Sequence, residues 1–259
     1  MAVWHERKAT RAPRRGRRVP GSAMSTGDPA VDGAGGVQPR DCRDVLLVHG
    51  LWNASWWLAP LAWRLRRLGF AVRTFGYPSI VGGPEPALAA LAERLRDGPP
   101  RHLVGHSLGG LLALEVLRRN PGLPVVRVVC LGSPLRGSGT ARTLASRPRL
   151  AWALGRSSAL LRDGCGAWDG RVPTGMVAGD VPRGIGRLLH AVDAESDGTV
   201  ALAETRLPGL AASCRVHASH TGLVFSAEAA RQVAAFLRTG AFLDAEVVPG
   251  RDGDPDSPV

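Results

Sequence analysis

The sequence predicts an α/β fold: a mostly parallel sheet with helices on both faces. Three observations carry this. Short apolar runs alternate with segments of helical spacing through the middle of the chain. The run Val125 to Leu131 is almost continuously apolar, as a strand covered on both faces requires. A Gly-rich turn at Gly105 leads from one expected strand straight into one expected helix.

In chain order, Val45 to Val48 is a first strand closed by His49-Gly50, and Ala54 to Leu68 is a helix with Trp57, Leu61, Leu65 and Leu68 on one face. Ala71 to Phe75 is a second strand ended by Gly76-Tyr77-Pro78. Pro86 to Arg96 is a helix, with proline in its first turn and Gly98-Pro99-Pro100 beyond its end. Leu103-Val104 is a third strand, Leu108 to Arg119 a helix stopped by Asn120-Pro121, and Val125 to Leu131 a fourth strand. From Gly132 to about Gly175 the rhythm breaks into a Gly/Ser/Arg-rich stretch with one helix from Thr140 to Leu154. Met176 to Ala178 and Cys214 to Val216 resume as strands, and Ala227 to Arg238 closes as an amphipathic helix.

Residues 1–40 are poor in large apolar side chains and rich in Arg, Pro and Gly. They are expected to form a disordered tail, since they bury too little surface to offset chain entropy. Met24 offers an alternative start that would omit the Arg-rich part. Residues 41–242 are expected to fold, with an insertion at 137–175, and residues 243–259 to form a second disordered tail. No internal repeat is present.

The formal charge of +11 is unevenly spread. In the tail Arg7, Lys8, Arg11, Arg14, Arg15, Arg17 and Arg18 oppose Glu6, which accounts for +6 and leaves +5 elsewhere. With no helix-turn-helix, zinc finger or aromatic-basic platform, nucleic acid is not an expected partner. Weak peripheral membrane contact through the tail is retained as an expectation. No run approaches the roughly 18 apolar residues that span a bilayer. Cys42, Cys130, Cys165 and Cys214 form no CxxC pair, so neither a zinc site nor a redox motif is implied. The N-terminus has positive charge without the apolar stretch of a signal peptide, so a cytoplasmic location with reduced thiols is expected. A Cys165–Cys214 bridge stays open as the alternative.

The sharpest chemical signal is Gly105-His106-Ser107-Leu108-Gly109-Gly110. Between a strand and a helix, G-x-S-x-G is a nucleophile elbow: its glycines allow a turn that lifts the serine hydroxyl above the sheet at a helix N-terminus. Val48-His49-Gly50-Leu51 ends the first strand 58 residues before the serine, room for two strand–helix units. An oxyanion needs two preorganised amide donors aimed at one point, and the amides of Leu51 and Leu108 are the candidates. His49 is expected to shape its loop rather than act as a base. Trp57 and Trp63 are expected to pack the helix, and Trp52, beside Leu51, to line a substrate pocket.

Together with Ser196-Asp197-Gly198-Thr199-Val200 and Ser219-His220-Thr221-Gly222-Leu223, these segments resemble the bacterial lipase and esterase branch of the α/β hydrolases, close to its small lidless lipases. The resemblance covers about residues 43–240. It implies an α/β-hydrolase fold, with the acid in a loop after the penultimate strand and the histidine after the last, hence Asp197 and His220. The order Ser, Asp, His agrees with that fold. On the residues alone, His217 and His220 both qualify as base, and His217 abuts its strand. Asp180, Asp193 and Asp197 compete as acid, and only Asp197 matches the resemblance, with a glycine beside it.

The expected activity is cleavage of a small-molecule or lipid ester through an acyl-enzyme on Ser107, with no cofactor and no metal. The alternatives are a thioesterase, amidase or perhydrolase on the same triad, or a hydrolase-like binding protein without catalysis. The 137–175 insertion departs from the lidless lipases, and both a lid and ordinary packing are open for it.

Overall fold

The computed structural model describes residues 41–52, 55–189 and 195–243. Strand β1 (Asp44–Val48) leads through a 3₁₀ turn at Ser55–Leu58 into α1 (Ala59–Arg67), then β2 (Ala71–Phe75), α2 (Pro84–Arg96), β3 (Arg101–His106), α3 (Leu108–Arg119) and β4 (Val125–Leu131). Helices α4 (Gly139–Ala145), α5 (Pro148–Ala151) and α6 (Ser158–Asp163) precede β5 (Thr174–Gly179). The chain continues through α7 (Ile185–Leu188), α8 (Leu202–Thr205), β6 (Ala212–Val216), α9 (Gly222–Phe225) and α10 (Ala227–Thr239).

The strands form one sheet in the order β2-β1-β3-β4-β5-β6, and every described pairing is parallel. Side chains alternate across it. Val45, Leu47, Val104, Val129, Val177 and Cys214 point to the face covered by α1 and α10, where Leu61, Leu65, Val233 and Leu237 meet them. Leu46, Val48, Leu103, Val128, Cys130 and Met176 point to the face covered by α2 and α3. Helix α3 is buried from Leu108 to Leu117, which is why its sequence is apolar all round and carries charge only near its end. Each fully buried leucine here contributes about 1.5–3 kcal/mol.

Two expectations are corrected, and one alternative is set aside. The segment 54–68 is not one helix: a 3₁₀ turn precedes α1, because Pro60 cannot donate into a preceding turn and fits the first positions of a new helix. The helix expected from Thr140 to Leu154 is broken into α4, α5 and a 3₁₀ segment. Pro148 starts α5, and Gly155 takes φ +54° against the carbonyl of Ile80, where a Cβ would lie 2.2 Å from the oxygen. Cys165 and Cys214 pack on opposite faces of the sheet, so no bridge joins them.

The insertion is tied down along its length. Thr140 donates to the Thr199 carbonyl (2.6 Å), the Arg156 amide to the Ile80 carbonyl (3.2 Å) and Ser157 to the Ser79 carbonyl (3.1 Å). Leu144, Leu154 and Leu161 are buried in the core, whereas Trp152 is exposed. No described helix is long and apolar enough to cross a membrane. The Arg-rich tail, Asp193 and the residues after Leu243 lie outside the described residues.

Candidate active site

A parallel sheet gathers the C-terminal ends of its strands on one edge, and the loops beyond β1, β3, β4, β5 and β6 meet there. Between the last residue of β3 and the first of α3 stands Ser107, with φ +56° and ψ −123°. Such a backbone costs of order 1–3 kcal/mol and persists only where its surroundings hold it. Here the Ser107 amide donates to the Leu131 carbonyl at 2.9 Å. The flanking glycines are required for space: a Cβ on Gly105 would lie 2.4 Å from the Gly109 backbone, and one on Gly109 would lie 2.1 Å from the Val48 carbonyl oxygen. Helix α3 therefore rests directly on the end of β1. The loop after β1 then reaches the serine so closely that a Cβ on Gly50 would come 2.9 Å from Ser107 Cβ.

Leu108 is the first residue of α3, so its amide has no acceptor within the helix. Leu51, half-buried, follows Gly50 in the approaching loop. Leu51 and Leu108 thus each adjoin a residue at the elbow: Gly50, which stands against Ser107, and Ser107 itself. His49 is buried and stacks on Tyr77, with ring centroids 4.3 Å apart. Burial holds its pKa below the ordinary value.

Asp197 occupies a tight turn between α7 and α8. Its Oδ1 accepts the amides of Thr199 (2.9 Å) and Val200 (2.8 Å), and Gly198 takes φ +89° because a Cβ there would meet the Arg183 backbone at 2.2 Å. Its Oδ2 lies 2.7 Å from His220 Nδ1, in the loop beyond β6, and the His220 amide donates to the Asp197 carbonyl at 2.9 Å. The aspartate is 1% exposed. Gly132, the residue after β4, with φ +58°, floors this pair: a Cβ would sit 3.2 Å from Asp197 Oδ2 and 3.3 Å from His220 Nδ1.

His106, which the spacing of motifs did not single out, links the two halves. Its Nε2–H donates to the His220 carbonyl at 3.1 Å, and its ring lies 4.9 Å from that of His220. Burial, reinforced by the neighbouring His220, pushes its pKa down to about 3, so it stays neutral and is not a base. The sequence showed its place in the elbow but not which long-range partner its ring would meet.

The rival acid and base also find each other, elsewhere. His217 Nδ1 lies 3.0 Å from Asp180 Oδ1, and the histidine side chain is 85% exposed. Trp52 is half exposed at φ +59°, and its indole N–H donates to the Ala153 carbonyl of the insertion at 2.6 Å. Among the described residues no group of three His, Cys, Asp or Glu is placed to hold a metal. A cavity of about 380 Å³ between α2, α3 and α6 has Arg118 and Arg119 in its wall, already paired with Glu115 and Glu85, which leaves no unpaired arginine in it for an anion.

Residues 45–255 match the model of the Alpha/beta hydrolase family. No curated protein matches the sequence. Among solved structures, the mature form of the Bacillus licheniformis lipase BlEst2 is similar at 21% identity and TM-score 0.59, over 81% of this chain and 97% of that one. Its propeptide form is similar at 20% and 0.60, over 81% of this chain and 52% of that one, so the chain spans about half of that form. The pyrethroid hydrolase PytH with BIF is similar at 18% and 0.50, over 76% and 98%. At these identities the likeness bears on the fold.

Proposed function

The chain belongs to the alpha/beta hydrolase family, and we propose that it is a serine hydrolase that cleaves carboxylic esters. The observation that carries this reading is the enclosed Asp197–His220 pair, whose histidine is tied through its carbonyl to His106 of the elbow on which Ser107 stands with a strained backbone. In the first step His220 takes the Ser107 proton as Oγ attacks the ester carbonyl carbon. The carbonyl oxygen becomes the oxyanion and rests on the amides of Leu51 and Leu108. The tetrahedral adduct collapses, the alcohol leaves with the proton from His220, and the acyl group stays on Ser107. Water repeats the sequence, with His220 again as base, and releases the acid. Asp197, held by two backbone amides through its other oxygen, fixes the His220 tautomer and stabilises the imidazolium.

Trp52 stands beside the oxyanion loop at the border of the insertion and is proposed to contact the acyl or alcohol group. The packed leucines and multiple ties of the insertion favour an esterase without a moving lid. Turnover of p-nitrophenyl esters and labelling by a fluorophosphonate probe, both abolished in Ser107→Ala, test the reading. Equal labelling of that variant overturns it. A rate on tributyrin that saturates smoothly across its solubility limit supports the lidless form; a sharp rise once droplets appear overturns that part alone.

A further inference from the structure

One imidazole stands at the base of the loop that brings Gly50 against Ser107. His49 Nε2 faces the backbone N–H of Tyr77 at 3.4 Å, and an N–H can only donate. His49 Nδ1 faces the carbonyl oxygen of Gly50 at 2.9 Å, and a carbonyl can only accept. The two neighbours therefore select one neutral tautomer, with the proton on Nδ1 and the lone pair on Nε2. Burial of the ring favours the neutral form this arrangement needs. Tyr77 completes the enclosure: its ring stacks on the imidazole at 14°, and its hydroxyl donates to the His49 carbonyl at 2.8 Å.

The peptide joining Gly50 to Leu51 is trans and planar, as is every described peptide, so its C=O and N–H point in opposite directions. With the Gly50 oxygen drawn back to His49 Nδ1, the Leu51 N–H is turned away from His49. Gly50 itself stands against Ser107, where a Cβ would meet Ser107 Cβ at 2.9 Å. We propose that His49, clamped by Tyr77, is a positioning residue: it sets the plane of the 50–51 peptide and thereby aims the Leu51 amide at the oxyanion. This rests on the serine-esterase reading above. It assigns work to a histidine that touches neither substrate nor His220, and to the one tyrosine in the chain.

Two replacements separate this role from packing. Asparagine places an amide N–H near the Nδ1 position and can still reach the Gly50 carbonyl; glutamine places its amide near Nε2 and cannot. His49→Gln is expected to lower kcat on a soluble p-nitrophenyl ester roughly 30-fold with KM unchanged, a fraction of the 10²–10³ that follows loss of a whole oxyanion donor. His49→Asn is expected to stay within about threefold of the parent. A trifluoromethyl ketone, to whose carbonyl Ser107 Oγ adds as its proton passes to His220, presents the oxyanion directly. Its affinity should fall in parallel with kcat across the variants. Tyr77→Phe keeps the stacked ring, removes only the hydroxyl, and is expected to cost about fivefold in kcat by the same route. The proposal is overturned if the Asn and Gln variants lose the same activity, or if KM rises while the ketone binds unchanged. Should His49→Gln fail to fold, an unaltered ketone affinity in Tyr77→Phe overturns it as well. Ser107→Ala is run alongside: activity surviving there defeats the esterase reading, whereas an inactive Ser107→Ala beside a fully active His49→Gln defeats only the clamp.

Discussion

Two histidine–aspartate pairs sit beyond the ends of β5 and β6. His220 and Asp197 are 2.7 Å apart, with side chains 12% and 2% exposed; His217 and Asp180 are 3.0 Å apart, with side chains 85% and 37% exposed. Their lengths differ by only 0.3 Å. What separates them is support. Asp197 is held by two backbone amides and floored by Gly132, and His220 is joined to the elbow by the hydrogen bond of its carbonyl to His106. The His217 pair lies in water, where an ion pair of this kind is worth between zero and about 1 kcal/mol and orders little. A hydrogen-bonded dyad is thus common chemistry, and on the proposed mechanism enclosure near Ser107 is what gives it work.

The sharpest way to break this contrast is to remove each histidine. Ser107→Ala and His220→Ala should each lower kcat on a soluble ester by about five to six orders of magnitude, while His217→Ala stays within a factor of about three. A crippled His217→Ala beside a mild His220→Ala, measured by initial rates, would reverse the assignment. Next come the acids. Asp197→Ala should cost about four orders of magnitude, less than the histidine because the carboxylate orients and transfers no proton. Asp180→Ala should leave kcat nearly untouched, and a larger loss there than at Asp197 sinks the choice of acid.

Smaller effects probe the enclosure itself. Gly132→Ala puts a methyl group against both members of the inner pair in a left-handed backbone, which alone costs about 1–2 kcal/mol. Denaturant titration should register that loss, and kcat should fall roughly tenfold through displacement of His220. A substitution that leaves both quantities unchanged would show that the pair is not floored there.

Burial of histidines should also make stability respond to acid. Burial lowers the pKa of His102 from 6.5 to about 4 and that of His106 from 6.5 to about 3. Between those values and 6.5 the unfolded chain binds protons that the folded chain refuses. Stability is therefore complete above about pH 6.5 and falls as pH drops toward 4, with each histidine adding at most about 1.4 kcal/mol per pH unit. Urea midpoints from pH 7 to pH 4 measure the slope. His102→Gln should flatten it; a slope equal to the parent's would contradict the linkage.

Much of this was legible in the sequence because it is written in local order. The alternation of apolar runs and helical spacing predicted the strands and the principal helices, since burial on both faces demands it. G-x-S-x-G marked the elbow, because only small residues permit helix α3 to touch β1 and β3. The broken helices of the insertion were missed although Pro148 and Gly155 stood in plain view, for their effect depends on what lies across from them, such as the Ile80 carbonyl. His106 and Tyr77 carried no signal either, as their partners are 114 and 28 residues away.

The sequence by itself determined the order of the six strands and the principal helices and marked the serine at the elbow, through rules that act over a few residues: periodicity, turn chemistry and the space a Cβ occupies. The resemblance supplied Asp197 and His220 as candidates among several. Only the tertiary structure decided which aspartate meets which histidine, that one pair is buried and the other wet, and that His49 holds one tautomer between the neighbouring Gly50 carbonyl and the Tyr77 amide of a distant segment. Those outcomes follow from chain closure in three dimensions, which no spacing along the chain encodes.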